Sequence, residues 1–372
     1  MAKYRVGVIG HTGRGNYGHG QDTVWLSLPE TEIVAVADAD DAGREKAIAR
    51  LKAPKGFADY RQMLDEAKPD VVSICQRHLD QHHDMVLACA ERGIHIYMEK
   101  PMCRNLLEAD AMVAACEKNK VKLALGFQTR YAPRMNTVKQ MIEDGAIGDL
   151  VELRARGKED ARGGGEDMWV LGSHLFNMID FFTADPRWCF AQVWQAGHPI
   201  TADDVYDGNE GIGPLAGDNI QAVFGLDDGV IATFGSRKNG VPKGGEGRFS
   251  LRIYGTAGAF DLTTGYMAPV YYLPSSNWNT PRSKQSWIEV SSAGPGQPEP
   301  LAPAHDDQGN VVACRDLLQA IEEDRQPEAS LYEGRTTVEM TAAVYESHRL
   351  GRPVTMPLDN RQNPLGMLGS QP

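Results

Sequence analysis

Apolar positions along the chain follow two rhythms. In the first third, short continuous apolar runs ("YRVGVIG", "EIVAVAD", "DVVSIC", "IHIYME" and "KLALGF") alternate with stretches in which apolar residues return every three or four positions. "ADAMVAACEKN" sets Ala109, Met112, Val113 and Cys116 on one helix face. Continuous apolar strands alternating with helices predict a parallel sheet covered on both faces, a doubly wound α/β fold. After Phe127 the rhythm changes. A helix carrying Met135, Val138, Met141 and Ile142 ends at Gly145, and "LVELRARGK" then alternates Val151, Leu153 and Ala155 with Glu152, Arg154 and Arg156, a strand with one wet face. "NIQAVFGLDDGVIATFGS" reads as a hairpin around Asp-Asp-Gly, and "RFSLRIYGTAGAFDLTT" as a strand pair turned at Gly255 to Gly258.

Two domains are expected from 372 residues: a Rossmann domain over 1–125, and a C-terminal α/β domain over 126–372 with a large, mostly antiparallel open sheet. "SSAGPGQPEPLAPAHDD" is expected to be a surface loop, and the segments around Leu317 and Val338 to be closing helices. No internal repeat is visible. A formal charge of −12 argues against nucleic-acid or anionic-membrane partners and for a small-molecule ligand. Neither a signal peptide nor an apolar run of about 20 residues is seen, so a cytoplasmic location is the default. Six cysteines without CxxC spacing read as buried thiols of a reducing compartment.

The chemistry starts in "YRVGVIGHTGRGNYGHGQDTVWLSLPE". A strand that runs into glycines and then a helix is how a dinucleotide pyrophosphate is met, on backbone N–H groups and a helix N-terminus. Gly10, Thr12, Gly13, Arg14 and Gly15 are the expected cofactor contacts, with Thr12 in the usual second-glycine place. Asp38 closes the second strand 20 residues past Gly18, where a carboxylate takes the ribose hydroxyls and repels a 2′-phosphate. NAD is favoured over NADP. Glycines in a loop are ordinarily plain turns; strand, acid and spacing together carry the functional reading.

At "IHIYMEKPMCRNLLEADAMV" the chain resembles the glucose–fructose oxidoreductase / inositol dehydrogenase / rhizopine-catabolism (Gfo/Idh/MocA) family, whose signature is Glu-Lys-Pro, here Glu99-Lys100-Pro101. The likeness continues through "GFQTRYAP", "MIEDGAIGDLVELRAR", "GSHLFNMIDFF", "LRIYGTAGAFDL" and "LYEGRTTVEMTAAVYESHRLGRPVTMP". It implies a nicotinamide cofactor and hydride exchange with a secondary hydroxyl of a polyhydroxylated substrate. It further implies that Lys100 contacts substrate and nicotinamide ribose, and that His174, the histidine of the family's D-x-x-x-H helix, is the acid/base. The chemistry agrees: oxidising a carbinol releases a proton that an imidazole can take, and an ammonium stabilises the alkoxide. Alone, a Glu-Lys-Pro is usually a solvated loop and such a histidine a core residue.

The sequence also departs from the family. Val170 stands four residues before His174, where many members of the family it resembles carry aspartate. Asp167, seven residues before, is expected to be a helix N-cap, with a substrate contact as the alternative. "GKEDARGGGED" gathers Lys158, Arg162 and Asp167 near His174, either as a solvated connector or as a site for hydroxyls or a carboxylate. In "CQRHLDQHHD", Gln76, Arg77 and His82 are expected at the cofactor edge; the histidines lack a ligand spacing, so no metal is expected. Gln128, Arg130 and Tyr131 approach cofactor or substrate by resemblance, or pack between domains.

The expected activity is an NAD-dependent oxidoreductase acting on a sugar, sugar acid or cyclitol. The alternatives are a redox-assisted glycosidase of the same family that recycles NAD, and a non-catalytic NAD-binding sensor. A homodimer or homotetramer through the C-terminal sheet is expected, although the charged outer face of "LVELRARGK" offers little apolar surface.

Overall fold

The computed structural model describes residues 4–243, 245, 247–279, 281–301 and 308–369. By contact the chain forms two compact units, Met1–Gln128 with Asn209–Gly213 and His305–Val338, and Thr129–Gly208 with Pro214–Ala304 and Glu339–Pro372. The segment 308–338, which lies C-terminal in sequence, packs in the first unit. Leu125 N donates to Ala329 O at 2.8 Å, and Tyr97 Oη donates to Asn310 Oδ1 at 2.6 Å.

The first unit is built on β1 (Tyr4–Ile9), β2 (Thr31–Ala37), β3 (Gly56–Phe57), β4 (Val71–Ile74), β5 (His95–Met98) and β6 (Leu123–Leu125). All pair in parallel, in the order β3-β2-β1-β4-β5-β6. This is the doubly wound sheet the apolar runs predict, with Val6, Val8, Val36, Val72, Ile74 and Ile96 out of water because helices cover both faces. The helices α1 (Asp41–Leu51), α2 (Tyr60–Ala67), α3 (His82–Ala90) and α4 (Leu106–Asn119) follow. Asp40, Asp59 and Asn105 cap α1, α2 and α4 by accepting from Gly43, Arg61 and Glu108 amides.

One expected helix does not form. After β1 the chain passes through turns as far as a single 3₁₀ turn at Val24–Ser27. Gly13, Asn16, His19 and Gly20 all take positive φ, which a right-handed helix cannot contain, and Pro29 leaves only eight residues after Gly20. The glycine loop therefore has no helix N-terminus behind it.

In the second unit, α5 (Pro133–Glu143), α6 (Gly165–Val170) and α7 (Gly172–Phe182) accompany an eleven-stranded sheet. Its main path is Gly294–Pro295, Ile288–Ser291, Val270–Leu273, Ala259–Thr263, Ser250–Gly255, Leu150–Arg156, Ile231–Arg237, Asn219–Gly225, Trp188–Gln195 and Val354–Thr355. All pairs are antiparallel except Leu150–Arg156 with Ile231–Arg237. Helix α7 covers one face, where the Phe176 ring meets Phe224 at 5.6 Å and Phe234 at 4.9 Å. On the other face Arg154 aligns with Thr233 and Arg252, and Trp188 and Ile231 stand exposed, so this face is less uniformly charged than "LVELRARGK" alone suggests.

The Pro/Gly-rich stretch is in part ordered structure. Gly294–Pro295 pairs with Ile288–Ser291, and Glu299 accepts from Arg134 Nε at 3.0 Å and Ser292 Oγ at 2.5 Å; its residues 302–307 lie outside the described ones. Two long helices, α8 (Gln308–Glu323) and α9 (Leu331–Leu350), fall where Leu317 and Val338 predict them.

Candidate active site

The loop after β1 closes on itself. Asn16 N donates to His11 O at 2.9 Å and Gly13 N to Asn16 Oδ1 at 2.9 Å. Gly13 and Gly15 make these turns possible with φ of +80° and +83°. A Cβ on Gly13 would meet nothing within 4 Å, whereas one on Gly15 would lie 2.7 Å from the Arg77 and His78 amide nitrogens. Gly13 thus faces open space and Gly15 packs against the segment following β4.

Asp38, 1% exposed at the end of β2, is the hub of this loop. Its Oδ2 accepts from Thr12 Oγ1 at 2.7 Å and Tyr17 Oη at 2.9 Å, its Oδ1 accepts from Asp40 N at 3.0 Å, and Thr12 N lies 3.1 Å from both oxygens. A carboxylate of expected ribose-binding position is here already occupied by protein donors. Arg14 forms an ion pair with Asp80, and Arg77 Nε donates to Gly15 O at 3.4 Å.

At the ends of β4 and β5 a second cluster forms. Glu99, 1% exposed, accepts from the Gln21 side-chain amide and lies 3.0 Å from His19 Nδ1 and 4.0 Å from Lys100 Nζ. The Glu99 hydrogen bond raises the His19 pKa above its ordinary value against the effect of burial. Neither His19 nor Gln21 was expected from the motif; "GHGQ" places them two residues apart, which is the only signal the sequence holds. His82 is fully buried. Its Nε2 lies 2.9 Å from Gln76 O and its Nδ1 3.2 Å from both Pro101 O and Met102 O, so it joins the β4 end to the Lys-Pro segment and has no nitrogen left for a cofactor. Gln76 is buried too; its Nε2 reaches His78 O at 3.3 Å, and among the described residues its Oε1 finds no partner. Gln128 donates to Asn310 Oδ1 at 2.8 Å, and Asn310 in turn donates to His19 O at 2.7 Å.

In the second unit, His174 lies in the first turn of α7, half-buried, its ring edge-on to Phe249 at 6.4 Å. Asp167 is not an N-cap. That place is held by Gly164, and Asp167 lies inside α6 with its carboxylate turned to the sheet, Oδ2 accepting from Ser236 Oγ at 2.5 Å and Glu159 N at 3.2 Å. Gly157 leaves the room: a Cβ there would sit 2.2 Å from Asp167 Oδ2. Asp167 Oδ1 is buried without a partner among the described residues, and burial pushes the carboxyl pKa up despite the Ser236 bond.

The neighbouring charges pair with one another. Lys158 and Arg162 converge on Asp160 at 3.6 and 3.1 Å, and the buried Glu159 is clamped by Arg156 at 2.7 Å and Arg248 at 2.9 Å. Arg130 is buried against α7, donating to Asp180 Oδ2 at 2.8 Å and Asn177 O at 3.3 Å, which makes it a brace of the His174 helix. Tyr131 is buried in the adjoining 3₁₀ turn.

This arrangement can be set beside known proteins. A family model described as "Oxidoreductase family, NAD-binding Rossmann fold" matches residues 4–127, and the GFO/IDH/MocA C-terminal domain matches residues 135–261. The chain belongs to the Gfo/Idh/MocA oxidoreductase family. This Gfo/Idh/MocA protein is 26% identical over 249 residues to the myo-inositol 2-dehydrogenase of Thermotoga maritima, covering 63% of this chain and 73% of that one. It is 33% identical over 196 residues to the D-apiose dehydrogenase of Paraburkholderia graminis, covering 49% of this chain and 51% of the relative, about half its length. Levoglucosan dehydrogenase, in complex with NADH and L-sorbose, superposes with a TM-score of 0.76 at 19% identity, covering 96% of this chain and 100% of that one; at that identity the likeness concerns the fold. The first unit is a Rossmann fold whose cofactor is NAD. Among the described residues no helix is long and apolar enough to cross a membrane.

The residues present fit a dinucleotide in two places and resist it in one. Gly13 offers backbone that a phosphate can approach closely, and Gln76 Oε1 is a buried acceptor awaiting a donor. Asp38 can take ribose hydroxyls only if one of its present donors leaves.

Proposed function

We propose that this protein is an NAD-dependent dehydrogenase that oxidises or reduces a secondary hydroxyl of a sugar, sugar acid or cyclitol. The observation carrying this reading is the position of Lys100. It is 7% exposed, two residues past the end of β5 of a doubly wound sheet, beside the buried Glu99. Ligands of such sheets bind at the carboxyl ends of the strands, and an ammonium held there stabilises a developing alkoxide. NAD, when bound, supplies the hydride acceptor. Lys100 polarises the substrate oxygen, His174 takes or returns the hydroxyl proton, and Gly13 and Gln76 meet the cofactor, with Asp38 taking its ribose once a present donor leaves. Named relatives supporting the substrate class are the myo-inositol 2-dehydrogenase and the D-apiose dehydrogenase.

The helix α7 histidine lacks the family aspartate, since Val170 is buried and apolar. That keeps the redox-assisted glycosidase as a second reading, in which no reduced cofactor accumulates. The test is absorbance at the reduced-nicotinamide band with purified protein, NAD and a panel of sugars, sugar acids and cyclitols. A rise that disappears in His174→Ala supports the dehydrogenase. A flat trace with NAD binding established separately rejects it in favour of the glycosidase or of a sensor. We further propose a homo-oligomer through the outer sheet face, where Trp188 and Ile231 stand exposed. Sedimentation that gave a monomer would remove this proposal.

A further inference from the structure

Asp38 is the carboxylate that a dinucleotide's adenosine ribose seeks, and Tyr17 already holds it. A carboxylate offers about four lone-pair positions. At Oδ2 these are taken by Thr12 Oγ1 at 2.7 Å and Tyr17 Oη at 2.9 Å, with Thr12 N at 3.1 Å. At Oδ1, Asp40 N at 3.0 Å and the shared Thr12 N take what remains, so four donors already stand on about four positions. A vicinal ribose diol brings two donors. One of the present donors must therefore leave.

The two candidates differ in freedom. Thr12 is wedged against α1: a Cβ at Gly43 would lie 2.0 Å from Thr12 Oγ1 and 2.4 Å from Thr12 Cβ, so Thr12 packs where a side chain would be. Tyr17 comes from five residues further along a loop rich in positive φ and is half-buried. Its ring lies over Gly10, whose Cβ would sit 2.2 Å from Cε1, with the Arg50 guanidinium 4.8 Å from the ring centroid on a tether to Asp22. The ring is held by packing and only its hydroxyl by Asp38.

We propose that Tyr17 sets the cofactor affinity of this protein as a built-in competitor: its hydroxyl occupies the Asp38 oxygen that a ribose hydroxyl takes, and binding displaces it. The proposal rests on the reading that the chain binds NAD. Thr12 stays on Asp38 in both states. Tyr17→Phe keeps the ring against Gly10 and Arg50 but vacates one lone pair.

The test is titration calorimetry of wild type and Tyr17→Phe with NAD, with AMP, which retains the adenosine ribose, and with nicotinamide mononucleotide, which lacks it. The expected result is tighter binding of NAD and AMP to Tyr17→Phe by about tenfold, the scale of one hydrogen bond to a charged acceptor, with nicotinamide mononucleotide unchanged. Tyr17→Leu, which removes the ring as well, should show a gain of the same sign provided its thermal transition is intact. Equal or weaker NAD binding by Tyr17→Phe, with binding to wild type present, overturns the role of Tyr17 and leaves the proposed function standing. No binding of NAD to either protein overturns both.

Discussion

Gly43→Ala offers a test of how rigidly the glycine loop is held, because two opposed effects meet at one atom. Gly43 is a residue of α1, and in an unhindered helix Gly→Ala gains about 1 kcal/mol. Here the new Cβ would stand 2.0 Å from Thr12 Oγ1, 2.4 Å from Thr12 Cβ and 2.9 Å from Thr12 Cγ2. Rotating Thr12 about χ1 moves Oγ1 and Cγ2 but not Cβ, so the backbone of the loop has to retreat. Overpacking of this kind costs about 1–3 kcal/mol. The retreat also draws Thr12 Oγ1 and N away from Asp38, a hydrogen bond to a charged acceptor worth about 1.5–3 kcal/mol. Subtracting the helix gain leaves a net loss of about 1.5–5 kcal/mol. Hydrogen exchange of the β1 and β2 amides reads it directly, as a loss of protection localised to the first unit. The companion variant is Thr12→Gly, which removes the clashing Cβ: protection in Gly43→Ala/Thr12→Gly should exceed that in Gly43→Ala alone. If Gly43→Ala were as protected as wild type, the loop would be free to move and the occupancy of Asp38 by Thr12 would be no obstacle to a ligand.

Two further outcomes follow from pH. The His19 pKa lies above its ordinary 6.5 because of Glu99. The stabilisation is complete below that value and lost as pH rises through the higher folded pKa, so His19→Gln should lower the melting temperature at pH 6 and lower it less at pH 9; a pH-independent difference would contradict the ion pair. Burial raises the Asp167 pKa above 3.8, so ionisation works against folding. Asp167→Asn should gain on wild type in melting temperature as pH rises from 4 to 8, and a gain confined to acid would refute the assignment.

Much of the fold was legible. β1, β2, β4, β5 and β6 are buried on both faces, and that leaves continuous apolar runs; Gly56–Phe57 is too short to show any period, and β3 was not read. The helix expected after the glycines does not form, because the backbone conformation of this loop leaves no mark in apolar spacing. Asn16 and His19 take left-handed φ only within the folded loop. At the site, Lys100 and Glu99 were found through a motif, but the bonds to His19 and Gln21 cross about 80 residues of sequence and leave no local trace. His82 and Arg130 are expected at the site from their places in the family pattern. Their partners are backbone carbonyls and a helix acid, which a sequence cannot display.

Asp167 shows why spacing along a helix has to be used with care. Seven residues separate it from His174, a distance that puts two side chains on one face of a continuous helix. The helix is not continuous: α6 ends at Val170, Leu171 stands between, and α7 starts at Gly172. Asp167 therefore answers to the sheet, where Ser236 and the amide of Glu159 hold one oxygen, and the glycine at 157 exists to admit it. A buried carboxyl with one oxygen unpartnered costs stability unless something offsets it. Val170 stands one turn before His174, and the first acid preceding the histidine in sequence, Asp167, is tied to Ser236. Val170 thus puts no carboxylate one turn before His174; Phe249 lies against the His174 ring, and Arg130 fastens Asp180 further along the same helix.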